Sequence, residues 1–275
     1  MNSNIKLVAT DLDGTLLNSQ KQLTKPLLNA IYKLQNSGVV FVPTTGRVLS
    51  SVPDEVKEIE SLKYIITSNG AAINNLHTGE EIASCPIPQN TLMHIVKKAE
   101  NLPIMMEIFY KGNAYTEKKF IDNLGSYGVI GWHVDYVLST RTPINSTLEF
   151  AKENSSKIEN INLIFADASL RHNFKQYLEE KDFATVTSSS PNNLEITNKL
   201  ATKGNALNTL CNKLSILPSQ VAAFGDSSND YDMLKFAGLS VAMENGEEHI
   251  KKIANHVTSS CDENGVLAAI ERFIF

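Results

Sequence analysis

Ile5-Lys6-Leu7-Val8-Ala9-Thr10-Asp11-Leu12-Asp13-Gly14-Thr15 is the stretch on which the reading of this chain turns. A short apolar run, 5–9, stops at two acids separated by one residue. Apolar runs bounded by turn residues form buried strands. In an open parallel sheet, ligands sit outside the carboxyl ends of the strands, which is where Asp11 and Asp13 fall. Two carboxylates so close repel each other unless a cation or hydrogen-bond donors compensate. Hard oxygen ligands of this kind suit Mg²⁺. The stretch taken alone leaves two readings open, a magnesium site with a carboxylate to spare, or a strand ending in an acidic Asp-Gly turn.

Composition narrows the field. The chain has 275 residues, enough for one large domain or two modest ones, and 42% of them are apolar, ordinary for a globular protein. A net charge of −5 argues against nucleic acid or an anionic membrane surface as the main partner. Three cysteines, Cys85, Cys211 and Cys261, stand far apart without a Cys-x-x-Cys pair, and the six histidines show no ligand spacing. That pattern fits a reducing compartment. With no signal-like leader and no apolar run of membrane-spanning length, the expectation is a cytoplasmic protein.

Outward from the opening stretch, residues 23–37 read as a helix with Thr24 as cap, Pro26 in the first turn and Leu27, Leu28, Ile31 and Leu34 as its apolar stripe. A second strand, 39–42, leads into Pro43-Thr44-Thr45-Gly46-Arg47. Residues 48–60 read as helical, and a third strand, 64–67, ends in Ser68-Asn69-Gly70. Strands alternating with helices predict a parallel sheet covered on both faces. The rhythm changes after Gly70. After a hairpin (71–74 and 81–85), a helix (89–101), paired strands (104–110 and 113–117), helices near 118–127 and 145–157, a strand (161–165), a helix (168–180) and two strands (183–187 and 193–197) read as an α+β unit inserted at the hairpin. The first rhythm resumes with a helix over 203–214, a strand over 221–224 ending in Gly225-Asp226-Ser227-Ser228-Asn229-Asp230, and alternating elements to the end. The expected division is 1–85 with 199–275 as core and 86–198 as the inserted domain.

Four strand ends or helix starts thus carry chemistry: Asp11 with Asp13, Thr45, Lys203, and Asp226 with Asn229 and Asp230. Phosphoryl transfer is largely positioning and charge neutralisation, and a carboxylate nucleophile passing through an aspartyl-phosphate is one solution. Asp11-Leu12-Asp13-Gly14-Thr15, Thr45-Gly46-Arg47, Lys203-Gly204 and Gly225-Asp226-Ser227-Ser228-Asn229-Asp230 follow the order and spacing of the haloacid dehalogenase superfamily. Ser68-Asn69-Gly70-Ala71, Val241-Ala242-Met243 and Gly265-Val266 resemble its Cof-like hydrolases of subclass IIB, a sugar-phosphatase-like group.

The resemblance implies a three-layer, Rossmann-like parallel-sheet core with an inserted cap that sets specificity. It implies a Mg²⁺-dependent phosphatase acting on small phosphorylated metabolites such as sugar phosphates. Asp11 would be the nucleophile and Asp13 the proton carrier. Asp11, the Asp13 carbonyl and Asp226 would hold Mg²⁺, with Asp230 in support. Thr45 and Lys203 would meet the phosphoryl group, and Asn229 would orient phosphate or Lys203. Gly46 and Arg47 belong to the expected substrate-binding set. Asn69 reads equally as turn or substrate residue, and Arg47 as a substrate contact or as the partner of a core acid. Glu244-Asn245-Gly246 departs slightly from the family pattern, away from these positions. A phosphomutase on the same scaffold and a non-catalytic phospho-ligand sensor are the alternatives. A monomer or weak homodimer is expected.

Overall fold

The computed structural model describes residues 4–275. In chain order its main elements are β1 (Leu7–Thr10), α1 (Lys25–Asn36), β2 (Val40–Pro43), α2 (Asp54–Lys57), β3 (Tyr64–Thr67), β4 (Ala72–Asn75) and β5 (Glu80–Ser84). Then come α3 (Gln89–Ala99), β6 (Ile104–Tyr110), β7 (Asn113–Glu117), α4 (Lys118–Ile121), α5 (Trp132–Thr140), β8 (Arg141–Ile144), α6 (Thr147–Glu153), β9 (Ile158–Phe165), α7 (Ala168–Lys181), β10 (Thr185–Thr187) and β11 (Asn193–Thr197). The chain closes with α8 (Lys203–Leu214), β12 (Val221–Gly225), α9 (Tyr231–Phe236), β13 (Leu239–Met243), α10 (Glu248–Ile253), β14 (His256–Thr258) and α11 (Gly265–Phe273). These elements fall into two compact units. One comprises residues through Gly46, Val52–Ala83 and Thr202–Phe275; the other comprises Arg47–Ser51 and Ser84–Ala201.

The first unit is built on a five-stranded sheet of order β14-β13-β12-β1-β2 whose strand pairings are all parallel. Leu7 registers with Val221 on one side and Val40 on the other. The chain steps from β1 to β2 in one direction and later places β12 on the opposite flank. β1 is therefore the topological switch point, where such sheets open a crevice at their carboxyl ends. β1 and β12 are buried along their whole lengths, as strands covered on both faces must be. Leu7, Ala9, Val221 and Ala223 pack with Leu207, Leu210, Met233 and Ile250 from α8, α9 and α10. α1 lies against β2 and α11, and α11 against β13 and β14, which gives the helix–sheet–helix layering expected of the core.

Four local readings change. β3 joins the parallel sheet only through a bridge between Thr44 and Ile66; its full ladder is antiparallel to β4, in a three-stranded sheet of order β3-β4-β5. The expected helix over 48–60 is a single turn at Leu49–Ser51 and the four-residue α2, because Pro53 carries no amide to continue the first turn. Thr24 stands at the start of α1, but its hydroxyl donates to Asn264 Oδ1 instead of capping the helix. In the stretch 119–160, α5 and β8 appear where the sequence shows no periodic signal.

The second unit holds a six-stranded sheet of order β10-β11-β9-β6-β7-β8, antiparallel except for β7 with β8. One face carries Ile104, Met106, Ile108, Ile161 and Leu163, packed with Leu92, Ile95 and Val96 of α3 and Phe174 and Leu178 of α7. Register places Glu107, Asn162 and Glu195 side by side on the other face. There Arg141 grips the Glu107 carboxylate with two hydrogen bonds, at 2.8 and 2.9 Å, and Asn162 Nδ2 donates to Glu107 Oε2 at 2.9 Å. Among the described residues, no helix is long and apolar enough to cross a membrane.

Candidate active site

The parallel register brings the ends of β1, β2 and β12 to one edge. Asp11 follows β1, Thr44 and Thr45 follow β2, and Asp226 follows β12. Asp11 N donates to Phe224 O at 3.0 Å, and Thr44 N to Thr10 O at 2.8 Å, so the ladders run to the last residue before each turn.

Lys203 enters this edge from the first turn of α8. Thr202 caps that helix, its hydroxyl accepting from Asn205 N at 3.1 Å, and so fixes where Lys203 starts. The Lys203 side chain is fully buried. Its Nζ donates to Asp11 Oδ1 and Asp230 Oδ1, both at 2.6 Å. Asp230 Oδ2 accepts from the amides of Asp226 and Ser227, at 2.9 and 3.1 Å, which locks the turn after β12. Both Asp230 oxygens are engaged, so it serves the site as a brace for Lys203 and the turn. Thr15 Oγ1 donates to Asp226 Oδ1 at 2.9 Å. Gly14, at φ 86°, lets the chain pass Asp226: a Cβ there would lie 2.8 Å from Asp226 Oδ2.

Burial makes these charges matter. Asp11, Asp226 and Asp230 each offer a carboxylate oxygen, all within 4.8 Å of one another. Burial would strip Lys203 of its proton, but the carboxylates of Asp11 and Asp230 outweigh it and hold the ammonium charged beyond its ordinary range. One cation cannot offset three carboxylates. Burial, reinforced by Asp230 and Asp226, pushes Asp11 well above the usual carboxylate range despite Lys203. Burial and Asp230 likewise push Asp226 up to about 6, against the hydrogen bond from Thr15. A hard divalent cation fits this donor set by charge and by ligand type.

Thr45, Gly46, Asn69 and Asn229 form an adjoining chain. Thr45, buried, donates its amide to Ile66 O at 2.9 Å. Asn69 N donates to Thr45 O at 3.1 Å, and Asn69 Oδ1 accepts from Asn229 Nδ2 at 3.0 Å. Asn69 is thus both a turn residue, at φ 56°, and a buried polar link between the β2 and β12 ends. Gly46 passes beside it: a Cβ there would lie 2.9 Å from Asn69 Oδ1. Arg47 falls in the second unit, where its Nη1 donates to Ser51 O at 2.9 Å and its guanidinium lies 5.8 Å from the Tyr136 ring centre. Asp13 stands with its carboxylate partly exposed and Lys21 Nζ 2.9 Å from its Oδ1. Sequence reasoning missed Thr15 and Lys21. Thr15 lies inside the quoted opening stretch, whereas nothing in the local pattern singles out Lys21.

Carboxylates at the switch point of a parallel sheet, with a buried lysine among them, suit the charge neutralisation that phosphoryl transfer needs. The family model for haloacid dehalogenase-like hydrolases matches residues 8–270, and the chain belongs to that family. The phosphatase YwpJ of Bacillus subtilis is 32% identical over 95% of this chain and 97% of its own. The 5-amino-6-(5-phospho-D-ribitylamino)uracil phosphatase YcsE of the same organism is 27% identical over 98% of this chain and 96% of its own. A solved haloacid dehalogenase-like hydrolase from B. subtilis superposes with a TM-score of 0.83 at 30% identity, covering 98% of this chain and all of that one. Family and relatives together make the protein a hydrolase of the phosphatase kind.

Proposed function

We propose that the protein is a Mg²⁺-dependent phosphomonoesterase acting on a small phosphorylated sugar or polyol metabolite through an aspartyl-phosphate. The observation that carries this reading is the buried contact of Lys203 with Asp11, beside Asp226 and Asp230, at the carboxyl edge of the sheet. Asp11, Asp226 and the Asp13 carbonyl would hold Mg²⁺, braced by Asp230. When bound, Mg²⁺ neutralises charge on the phosphoryl oxygens and on the carboxylates around it.

Asp11 attacks phosphorus, and its carboxylate forms the new P–O bond as the ester P–O bond breaks. Asp13 gives a proton to the departing alkoxide. Water then attacks the aspartyl-phosphate, Asp13 takes its proton, and the bond to Asp11 breaks to release phosphate. Lys203 holds Asp11 in place and faces the phosphoryl charge. Thr45, with the Asn69–Asn229 link behind it, donates to a phosphoryl oxygen, and Gly46 keeps the loop close. Arg47 belongs to the proposed substrate-binding set. The sugar or polyol class is supported by YcsE, whose name gives a phosphorylated ribityl compound as its substrate.

The test is hydrolysis of p-nitrophenyl phosphate with Mg²⁺, followed by a phosphate-release screen over sugar and polyol phosphates. Wild type should turn over the aryl ester and Asp11→Asn should not. Equal rates for the two proteins would remove the mechanism.

A further inference from the structure

The excursion that follows Asp13 folds back onto it. Leu16 and Leu17 donate their amides to the carbonyls of Asp11 and Leu12, at 3.2 and 2.8 Å, and Asp13 bridges to Leu17. Asn18 then closes a tight turn. Its amide donates to Gln22 O at 3.1 Å, its carbonyl accepts from Lys21 N at 2.9 Å, and its Oδ1 accepts from the amides of Gln20 and Gln22 at 3.0 and 2.9 Å. Two outside contacts anchor the excursion: Ser19 N donates to Asp262 Oδ1, and Asn245 Nδ2 donates to Gly14 O, each at 2.8 Å. This framework returns Lys21 to the strand end, with Nζ 2.9 Å from Asp13 Oδ1.

Two features make this pair unusual for a turn. Lys21 has φ 63°, a left-handed conformation that glycine adopts at no steric penalty and that L-residues with a side chain resist. Glycine or asparagine would serve the backbone better. Nor does the ion pair explain the lysine through stability. Its side chains are 44% and 33% exposed, and exposed pairs contribute little. A strained residue aimed at a carboxylate in a catalytic loop is where local strain and function tend to coincide.

We propose that Lys21 is a positioning residue for phosphoryl transfer. It holds Asp13 by Oδ1 so that the carboxyl group meets the departing oxygen in the first step and the attacking water in the second. This inference rests on Asp13 being the proton carrier described above.

The readout is leaving-group dependence. Phenolate needs a proton on departure far more than the weakly basic p-nitrophenolate, so a misplaced acid penalises phenyl phosphate more. The ratio of kcat/KM on phenyl phosphate to that on p-nitrophenyl phosphate reports the first step alone. Lys21→Gly and Lys21→Met should lower this ratio by about tenfold or more, a fraction of what a general acid supplies, and Lys21→Arg should restore most of it. Lys21→Gly relieves the positive φ, so its melting temperature should hold or rise while the ratio falls, which separates chemistry from folding. An unchanged ratio in the Gly and Met variants, whether both rates fall together or neither falls, overturns the role of Lys21. Asp11→Asn runs alongside. If it is inactive while the Lys21 variants keep the wild-type ratio, the Lys21 inference alone fails. If it matches wild type, or wild type cleaves neither ester, the phosphatase reading fails and this inference with it.

Discussion

Lys203 Nζ and Asp11 Oδ1 stand 2.6 Å apart although 192 residues separate them in the chain, and the two side chains are 0% and 7% exposed. Burying such charges is costly unless they are paired. The contact therefore ties the folding of the core to the geometry of the proposed chemistry: the lysine that holds Asp11, the proposed nucleophile, also neutralises part of a buried acidic cluster.

Replacing Lys203 with Met should destabilise the protein by about 3–5 kcal/mol, because Asp11 and Asp230 are left buried without their cation. Those acids can escape part of the penalty by taking up protons. The loss measured by urea unfolding should accordingly be larger at about pH 7.5 than at about pH 5. An equal loss at both pH values would show that the penalty is one of packing and not of charge.

Asp226 sets a pH window. Its folded-state pKa is raised, from 3.8 to about 6, so the folded protein holds this proton more tightly than the unfolded chain. The stability that follows is present below about pH 4 and is lost as pH rises through about 6. Asp11, also raised, acts with the same sign. Bound Mg²⁺ should oppose the loss. At 100 times its dissociation constant it adds about 2.7 kcal/mol, or roughly 5–10 °C in melting temperature for a chain of this size. Calorimetry at about pH 7.5 should show this shift, and at about pH 5, where protons compete for the same oxygens, a much smaller one. A shift independent of pH would place the cation elsewhere.

Gly70 guards the start of α8. Its φ is 96°, and a Cβ there would lie 2.2 Å from the backbone oxygen of Thr202, the residue before Lys203. Gly70→Ala should cost about 3 kcal/mol or more, from strained φ plus forced backbone movement, and should lower kcat by displacing Lys203. Gly79→Ala is the control. Gly79 also has positive φ, at 69°, but open space around it, so about 1 kcal/mol and no change in kcat are expected. Thermal melts with parallel kinetics distinguish the two.

In the second unit, Glu107→Leu leaves Arg141 buried without its carboxylate. The side chains of the pair are 0% and 5% exposed. The single change should cost about 3–5 kcal/mol, and adding Arg141→Leu should recover a large part of that loss. A double-mutant cycle by chemical denaturation measures the coupling. Additive losses would mean the two side chains do not support each other.

Much of this architecture is readable along the chain. β6, β7, β11 and α8 fall on the residues that alternation, turn chemistry and apolar periodicity mark. The order Asp11–Asp13, Thr45, Lys203, Asp226–Asp230 is enough to state the family. The less legible stretches have local reasons. β8 carries Pro143 and three partly or fully exposed neighbours on a sheet edge, and its parallel partner β7 lies well upstream, so no local pattern announces it. α5 has little amphipathic periodicity to mark it. The helical reading of 48–60 yields to Pro53, and β3 takes its ladder from a strand that follows it instead of from the core sheet.

The opening stretch shows the same division. Its composition alone determined that a buried strand would end in two acids and a glycine turn, since those are local properties of residue type and spacing. Whether that turn was acidic decoration or part of a buried charge cluster depended on contacts between residues far apart in sequence. The strand order β12-β1-β2 brings Asp226 and Thr45 to either side of Asp11, and the cap at Thr202 aims Lys203 into the gap. Lys203 by itself reads as a solvated lysine at a helix start; only the tertiary structure buries it and gives it two carboxylates. The same holds for Lys21, whose return to Asp13 is set by the closure of a turn and its anchors on distant loops.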